Sequence, residues 1–251
     1  MGFLTQRLMG SVVVMLTFIL MGCNTQLQKP PVDFSGFWEL GEDFTEVIRP
    51  ELDQDNLTEE AKQRLAEFRQ RFPEGQATWP ADLCLFHGMP WTMLTRARTY
   101  VTEIVQTPDR IFMKSEGMDL FRDIHLDQDA IPAGYGPSNQ GYSIGRWEGD
   151  ELVIETGGLI ALNDYIERPR SGDARITERW RLVTTAGGEE LWEVELWVDD
   201  PAVFRKPGYG RKRFRRMAEG AVVGGYNCNN ALWDDYVDRE LTRQEQHEQG
   251  E

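Results

Sequence analysis

The chain has 251 residues and a formal net charge of −15, with 27 Lys and Arg against 42 Asp and Glu. So acidic a chain is a poor match for nucleic acid and for anionic lipid headgroups, and its length suffices for one large domain with a real core.

In chain order, Met1 to Arg7 is a short segment with one positive charge, followed by an apolar run from Leu8 to Met21. That run has the length of a secretory signal core and is too short for a comfortable membrane span. It ends in Leu20-Met21-Gly22-Cys23, which resembles the bacterial lipobox. The resemblance implies cleavage after Gly22 and lipid attachment at Cys23, so that buried acyl chains anchor the mature protein. Asn24 rather than Asp after the cysteine points to the outer membrane, with the domain facing the periplasm. Residues 23–34 are polar with two prolines and suit a tether. With Cys23 committed to lipid, Cys84 and Cys228 remain as a pair in an oxidising compartment and are expected to form a disulfide.

The domain is expected to span residues 35–228, ahead of a polar, acidic tail at 229–251. Ser35–Leu40 reads as a short aromatic strand. A helix follows over Thr58–Arg71, where Leu57, Ala61, Leu65 and Phe68 recur at helical spacing and Asn56 or Thr58 can cap. Strands are predicted at Thr99–Gln106, Arg110–Lys114, Leu120–Leu126, Tyr142–Trp147, Glu151–Thr156, Arg175–Val183, Glu190–Val198 and Gly210–Met217. Glu148-Gly149-Asp150 and Ala186-Gly187-Gly188 mark hairpin turns. Successive hairpins without helical crossovers exclude a doubly wound α/β fold. They predict an all-β, mainly antiparallel, up-and-down barrel with one or two peripheral helices.

Gly36-Phe37-Trp38 is similar to the Gly-x-Trp signature of lipocalins and related calycin barrels. The segment Gly145-Arg146-Trp147-Glu148-Gly149-Asp150-Glu151-Leu152-Val153-Ile154-Glu155-Thr156 resembles the central hairpin of a large family of uncharacterised bacterial secreted proteins. Glu103-Ile104-Val105-Gln106, Thr177-Glu178-Arg179-Trp180, Asp200-Pro201-Ala202-Val203-Phe204 and the cysteines Cys84 and Cys228 extend that resemblance over nearly all of residues 33–228. It implies a lipocalin-like barrel and brings no activity with it. The chain departs from the family pattern at Ile131, Tyr142 and Arg170, where many members carry histidine. In calycin barrels the tryptophan of the first strand closes one end beneath an arginine of the last strand, and here Arg213 or Arg215 is expected over Trp38.

Period-two reading places Ile176, Glu178, Trp180 and Leu182 on one face, so Glu178 is expected to point into the barrel. A buried carboxylate needs a partner or a proton, and Arg122, alternating with Leu120, Ile124 and Leu126, is the expected partner. Glu178 can then be a general acid/base, a ligand anchor or a structural ion pair. His125 shares a face with Phe121, Asp123 and Asp127, either of which can orient it as a base. Trp180, Trp192 and Tyr142 are expected to wall a lumen. A ligand there requires a cavity of roughly 300 Å³ or more; a solid lumen leaves a scaffold. No CxxC pair, zinc-spaced histidines, nucleophile elbow, phosphate loop or dinucleotide fingerprint is present. No metal or cofactor is expected. Three readings follow: an envelope lipoprotein binding a small, largely apolar molecule, a cofactor-free isomerase, hydratase or lyase, or a structural envelope protein.

Overall fold

A computed structural model describes residues 30–41, 55–71, 88–94, 100–117, 120–161 and 170–226. The expected leader, Cys23, the Cys84–Cys228 pair, His87 and His247 lie outside the described residues.

Nine strands close into one barrel in chain order. They are β1 (Gly36–Leu40), β2 (Thr102–Gln106), β3 (Arg110–Ser115), β4 (Leu120–His125), β5 (Tyr142–Glu148), β6 (Glu151–Gly157), β7 (Arg175–Thr184), β8 (Glu190–Asp199) and β9 (Gly208–Arg216). Among the described residues two helices accompany them, α1 (Glu59–Arg71) and α2 (Trp91–Leu94). The all-β barrel expected from the hairpin pattern is present, with one departure. An odd number of strands cannot alternate in direction all the way round a ring, so one seam must be parallel. That seam is β4–β5, joined only at Ile124↔Ser143 and His125↔Ile144. The long 126–141 connection carries the chain from one end of the barrel to the other and makes a parallel neighbour possible.

Local chemistry sets the boundaries. Thr58 caps α1, its Oγ1 accepting from the Ala61 amide at 3.1 Å. The apolar stripe Leu57, Ala61, Leu65 and Phe68 is buried, as the spacing requires. Between β5 and β6, Glu148 faces Glu151 and Gly149 takes φ +68°, the left-handed geometry of a tight hairpin. α2 was not expected: a single turn is too short to show a helical period.

The two sides of the barrel wall differ sharply. Inward, the core runs through Phe34, Trp38, Ile104, Ile124, Leu152, Trp180, Trp192 and Leu196. Outward, β6 to β9 carry a charged lattice. Arg179 binds Glu148 and Glu151, while Arg181 binds Glu151, Glu193 and Glu195. Glu193 sits between Arg181 and Arg213, its side chain only 3% exposed. Long arginine stems over the sheet remove it from water although it points outward.

Burial pushes the Glu193 carboxyl up, but hydrogen bonds and charge from Arg213 and Arg181 outweigh that and hold it below its ordinary 4.5. A lowered folded-state pKa gives stability that is complete above pH 4.5 and is lost as pH falls through the folded value. Urea unfolding at stepped pH should therefore show Glu193→Gln clearly less stable than the parent at pH 7, with the gap closing below pH about 4. A pH-independent gap would contradict this role.

Candidate functional site

A buried ion pair crosses the lumen. Arg122 of β4 and Glu178 of β7 are 2% and 0% exposed. Arg122 Nη1 donates to Glu178 Oε2 at 3.0 Å, and Nη2 donates to Oε1. The same guanidinium donates from Nη2 to Ser143 Oγ of β5 at 3.1 Å and to Thr156 Oγ1 of β6 at 3.2 Å. Trp180 Nε1 donates to Glu178 Oε2 at 3.0 Å, and the two hydroxyls bond each other at 2.8 Å. Glu178 and Arg122 thus meet inside the barrel as the alternation of β4 and β7 requires. Ser143 and Thr156 were missed, although the inward parity of β5 and β6 was available to find them. Both oxygens of Glu178 accept from fixed donors, and that arrangement suits a structural cross-brace better than proton transfer.

Trp38 closes the barrel end where β1 begins. Its side chain is fully buried, and its Nε1 donates to the Phe34 carbonyl at 2.9 Å. The arginine over its ring is Arg216, at 4.2 Å from the ring centroid, not Arg213 or Arg215. Parity explains the correction. Gly208, Gly210, Lys212, Phe214 and Arg216 form the inward set of β9, so Arg213 and Arg215 point out, to Glu193 and Glu39. Gly36 is needed here. It takes φ +135°, and a Cβ on it would stand 2.6 Å from Arg216 Nη1. Phe34 fills the space beside Trp38, stacked on Trp147 at 6.1 Å and edge-on to Trp180 at 5.7 Å.

Tyr142 is not a lumen wall. Ser143, Gly145 and Trp147 are the inward residues of β5, which leaves Tyr142 outside. There its ring stacks on His125 at 4.3 Å with 6° between planes, and Tyr135 meets it edge-on at 5.0 Å. Burial raises the Tyr142 phenol above its ordinary value, with Asp127 and Asp123 adding to the effect and Arg110 opposing it. His125 Nε2 lies 3.6 Å from Asp123 Oδ2, which already accepts from Arg110 Nη1 at 2.9 Å. His125 and Glu178 are therefore on opposite sides of the wall and do not form one site.

Of the expected lumen residues, Trp192 borders open space. A cavity of about 30 Å³ lies between α2 and the wall, lined by Leu40, Thr92, Met93, Tyr100, Thr102, Met113, Ser115, Trp192, Lys212 and Phe214. That is a tenth of the volume a ligand-filled lumen requires. Trp180, Arg122 and Glu178 do not line it. Aromatic packing explains the small size, because Trp192 contacts Trp180 at 4.6 Å, Phe214 at 4.4 Å and Trp38 at 5.9 Å. The α2 segment is seated by backbone and side-chain bonds. Met89 N donates to the Asn139 carbonyl at 3.0 Å, and Thr92 Oγ1 donates to Gln140 Oε1 at 3.0 Å. Buried Arg170 donates to the carbonyls of Met89, Asn139 and Ile160, and burial lowers its pKa to about 10 despite the opposing pull of Asp200. An open hollow of about 730 Å³ lies at the other end, beside Val32, Asp33, Glu148, Glu151 and Arg181.

Among the described residues no group of histidine, cysteine and carboxylate side chains is placed to hold a metal ion. Comparison of the chain with protein-family models and with curated proteins returned no match.

Removing one partner of a buried pair strands the other charge, so Glu178→Gln should lose about 3–5 kcal/mol of stability in urea unfolding. The paired replacement Arg122→Met with Glu178→Leu should recover most of that loss, giving a large coupling energy in the double-mutant cycle. Additive losses would mean that the two side chains act separately.

Proposed function

We propose that the protein is a lipid-anchored lipoprotein of the bacterial outer membrane, facing the periplasm, whose barrel binds a small, largely apolar ligand beneath α2. The observation that carries the binding reading is the cavity itself. It lies between α2 and the strands, and it combines apolar walls (Leu40, Met93, Met113, Phe214) with polar groups (Thr102, Ser115, Lys212), as small-molecule sites do on a larger scale. Its volume of about 30 Å³ limits the occupant to a small group unless α2 moves. The anchor rests on the Leu20-Met21-Gly22-Cys23 motif, and the family resemblance on the Gly145–Thr156 hairpin and the Gly36-Phe37-Trp38 triplet.

A structural envelope protein is the second reading, favoured by the filling of the lumen with Trp38, Trp180, Trp192 and the Arg122–Glu178 pair. The enzyme reading with Glu178 as acid/base gains no support from a carboxylate whose two oxygens are both occupied.

Native mass spectrometry of the intact protein purified from the envelope separates the first two. A co-purifying small molecule supports binding, and a ligand-free chain supports the scaffold. The same spectra should show a lipid-modified Cys23 as first residue, and Cys23→Ala should move the protein from the membrane to the soluble fraction. An unmodified thiol on a protein found in the cytosol would defeat the anchor, the compartment and the expected disulfide together.

A further inference from the structure

The outer face of β2 to β4 differs from the arginine–glutamate lattice of β6 to β9. Ile104, Met113 and Arg122 take inward positions there, so Val105, Phe112 and Phe121 point out. Val105 stands directly opposite Phe112, and the rings of Phe112 and Phe121 stack at 6.0 Å. Val105 is 48% exposed and Phe121 56%. Scattered apolar residues are ordinary on a protein surface, but three adjoining ones on neighbouring strands mark a docking face. Lys114, also exposed, registers opposite Phe121 at the edge of this patch.

The chain itself leads toward the patch. Beyond β9 the Met217 amide donates to the Phe37 carbonyl of β1 at 2.8 Å. The Gly224 amide donates to Glu116 Oε1, just past β3, at 2.7 Å. The Tyr226 ring meets Tyr100, just before β2, edge-on at 6.2 Å. Residues 217–226 thus carry the chain from β9 to the end of β3, one strand short of β4. Residues 227–251 follow, outside the described residues. In that acidic tail Leu232, Trp233, Tyr236 and Val237 recur at helical spacing behind Asn230, a residue suited to an N-cap. Asp234, Asp235 and Asp238 fall outside the apolar stripe. Two helical turns rise about 11 Å, and β2 to β4 spans two strand spacings, about 10 Å. The six residues from Tyr226 to Leu232 reach up to about 20 Å. Phe121 lies one strand spacing across and two residues along from Glu116, about 8 Å.

We propose that residues 230–241 form a strap, an amphipathic helix whose Leu232, Trp233, Tyr236 and Val237 cover Val105, Phe112 and Phe121. Both apolar surfaces leave water, and the acidic flank of the helix meets Lys114. A net charge of −15 opposes bringing a second copy onto this face, which favours the chain's own segment as occupant. The strap also holds Tyr226 against Tyr100, a wall residue of the α2 cavity.

The test uses the intact chain in mild detergent, with photoreactive benzoylphenylalanine replacing the exposed Phe121. Irradiation, digestion and mass spectrometry should find the probe joined to residues 230–241 within monomeric protein. Hydrogen exchange should show the amides of 231–241 at least tenfold slower than in a free peptide of the same sequence. Phe112→Ser with Phe121→Ser should abolish that protection and leave the β6–β9 ladders as slow as before. A covalent dimer makes a second copy the occupant and overturns the strap, as do crosslinks to detergent or elsewhere in the barrel. Protection that survives the serine pair overturns it too, because the helix is then held by something else. Where the serine pair does not fold, the crosslink decides alone.

Discussion

The barrel depends on how it closes its weakest seam. Nine strands force one parallel contact, and β4–β5 carries only two register pairs, against ten between β7 and β8. Arg122 compensates. From β4 it reaches across the seam to Ser143 on β5, then to Thr156 on β6 and Glu178 on β7. Four consecutive strands are thereby tied through one guanidinium, whose planar fork matches a carboxylate on one side and hydroxyls on the other. Burying two charges costs several kcal/mol per ion, and the attraction between them offsets this only when remaining donors and acceptors are satisfied. Here they are: the second oxygen contact to Trp180 and the Ser143–Thr156 bond complete the network. The pair fixes which residues of β4 and β7 face each other, and so the register of that half of the barrel.

Once that register is set, the rest of the lumen follows from parity. Trp180 is two residues from Glu178 and Trp192 pairs diagonally with it, so the indoles are stacked along the axis above the ion pair. Trp38 and Phe34 complete the column toward the β1 end, with Arg216 laid over Trp38. This column fills the space that a ligand-carrying barrel leaves open. What remains is the pocket at the edge of the column, bounded by α2 instead of by a strand.

Much of this was legible in the sequence, because alternation is a direct reading of which side of a sheet a residue faces. The inward positions of Glu178, Arg122, Trp180 and Trp192 follow from it, as do the cap of α1 and the Gly149 hairpin. Each miss has a physical cause. Tyr142 has the aromatic character of a lumen wall, and only the parity of Ser143, Gly145 and Trp147 shows that it faces outward. Arg213 and Arg215 are expected where Arg216 stands because a strand of five basic residues in Arg211–Arg216 hides its own alternation: charge appears on both faces, and only Gly208, Gly210 and Phe214 mark the inward set. The parallel seam depends on the count of strands, a property of the closed ring and of no local segment. α2 is one turn long and is held by bonds from Asn139, Gln140 and Arg170, all distant in sequence.

The point at which the chain enters the barrel bears on how its two ends are closed. The chain enters the barrel at Val32–Phe34, where Gln106 holds it through bonds to the Phe34 amide and the Val32 carbonyl. Phe34 is fully buried against Trp147 and Trp180, so it closes the end of the barrel at which the chain enters. The α2 end is closed differently, by a short helix held through a few hydrogen bonds and through the burial of Met89, Trp91, Met93 and Leu94 instead of by strand ladders.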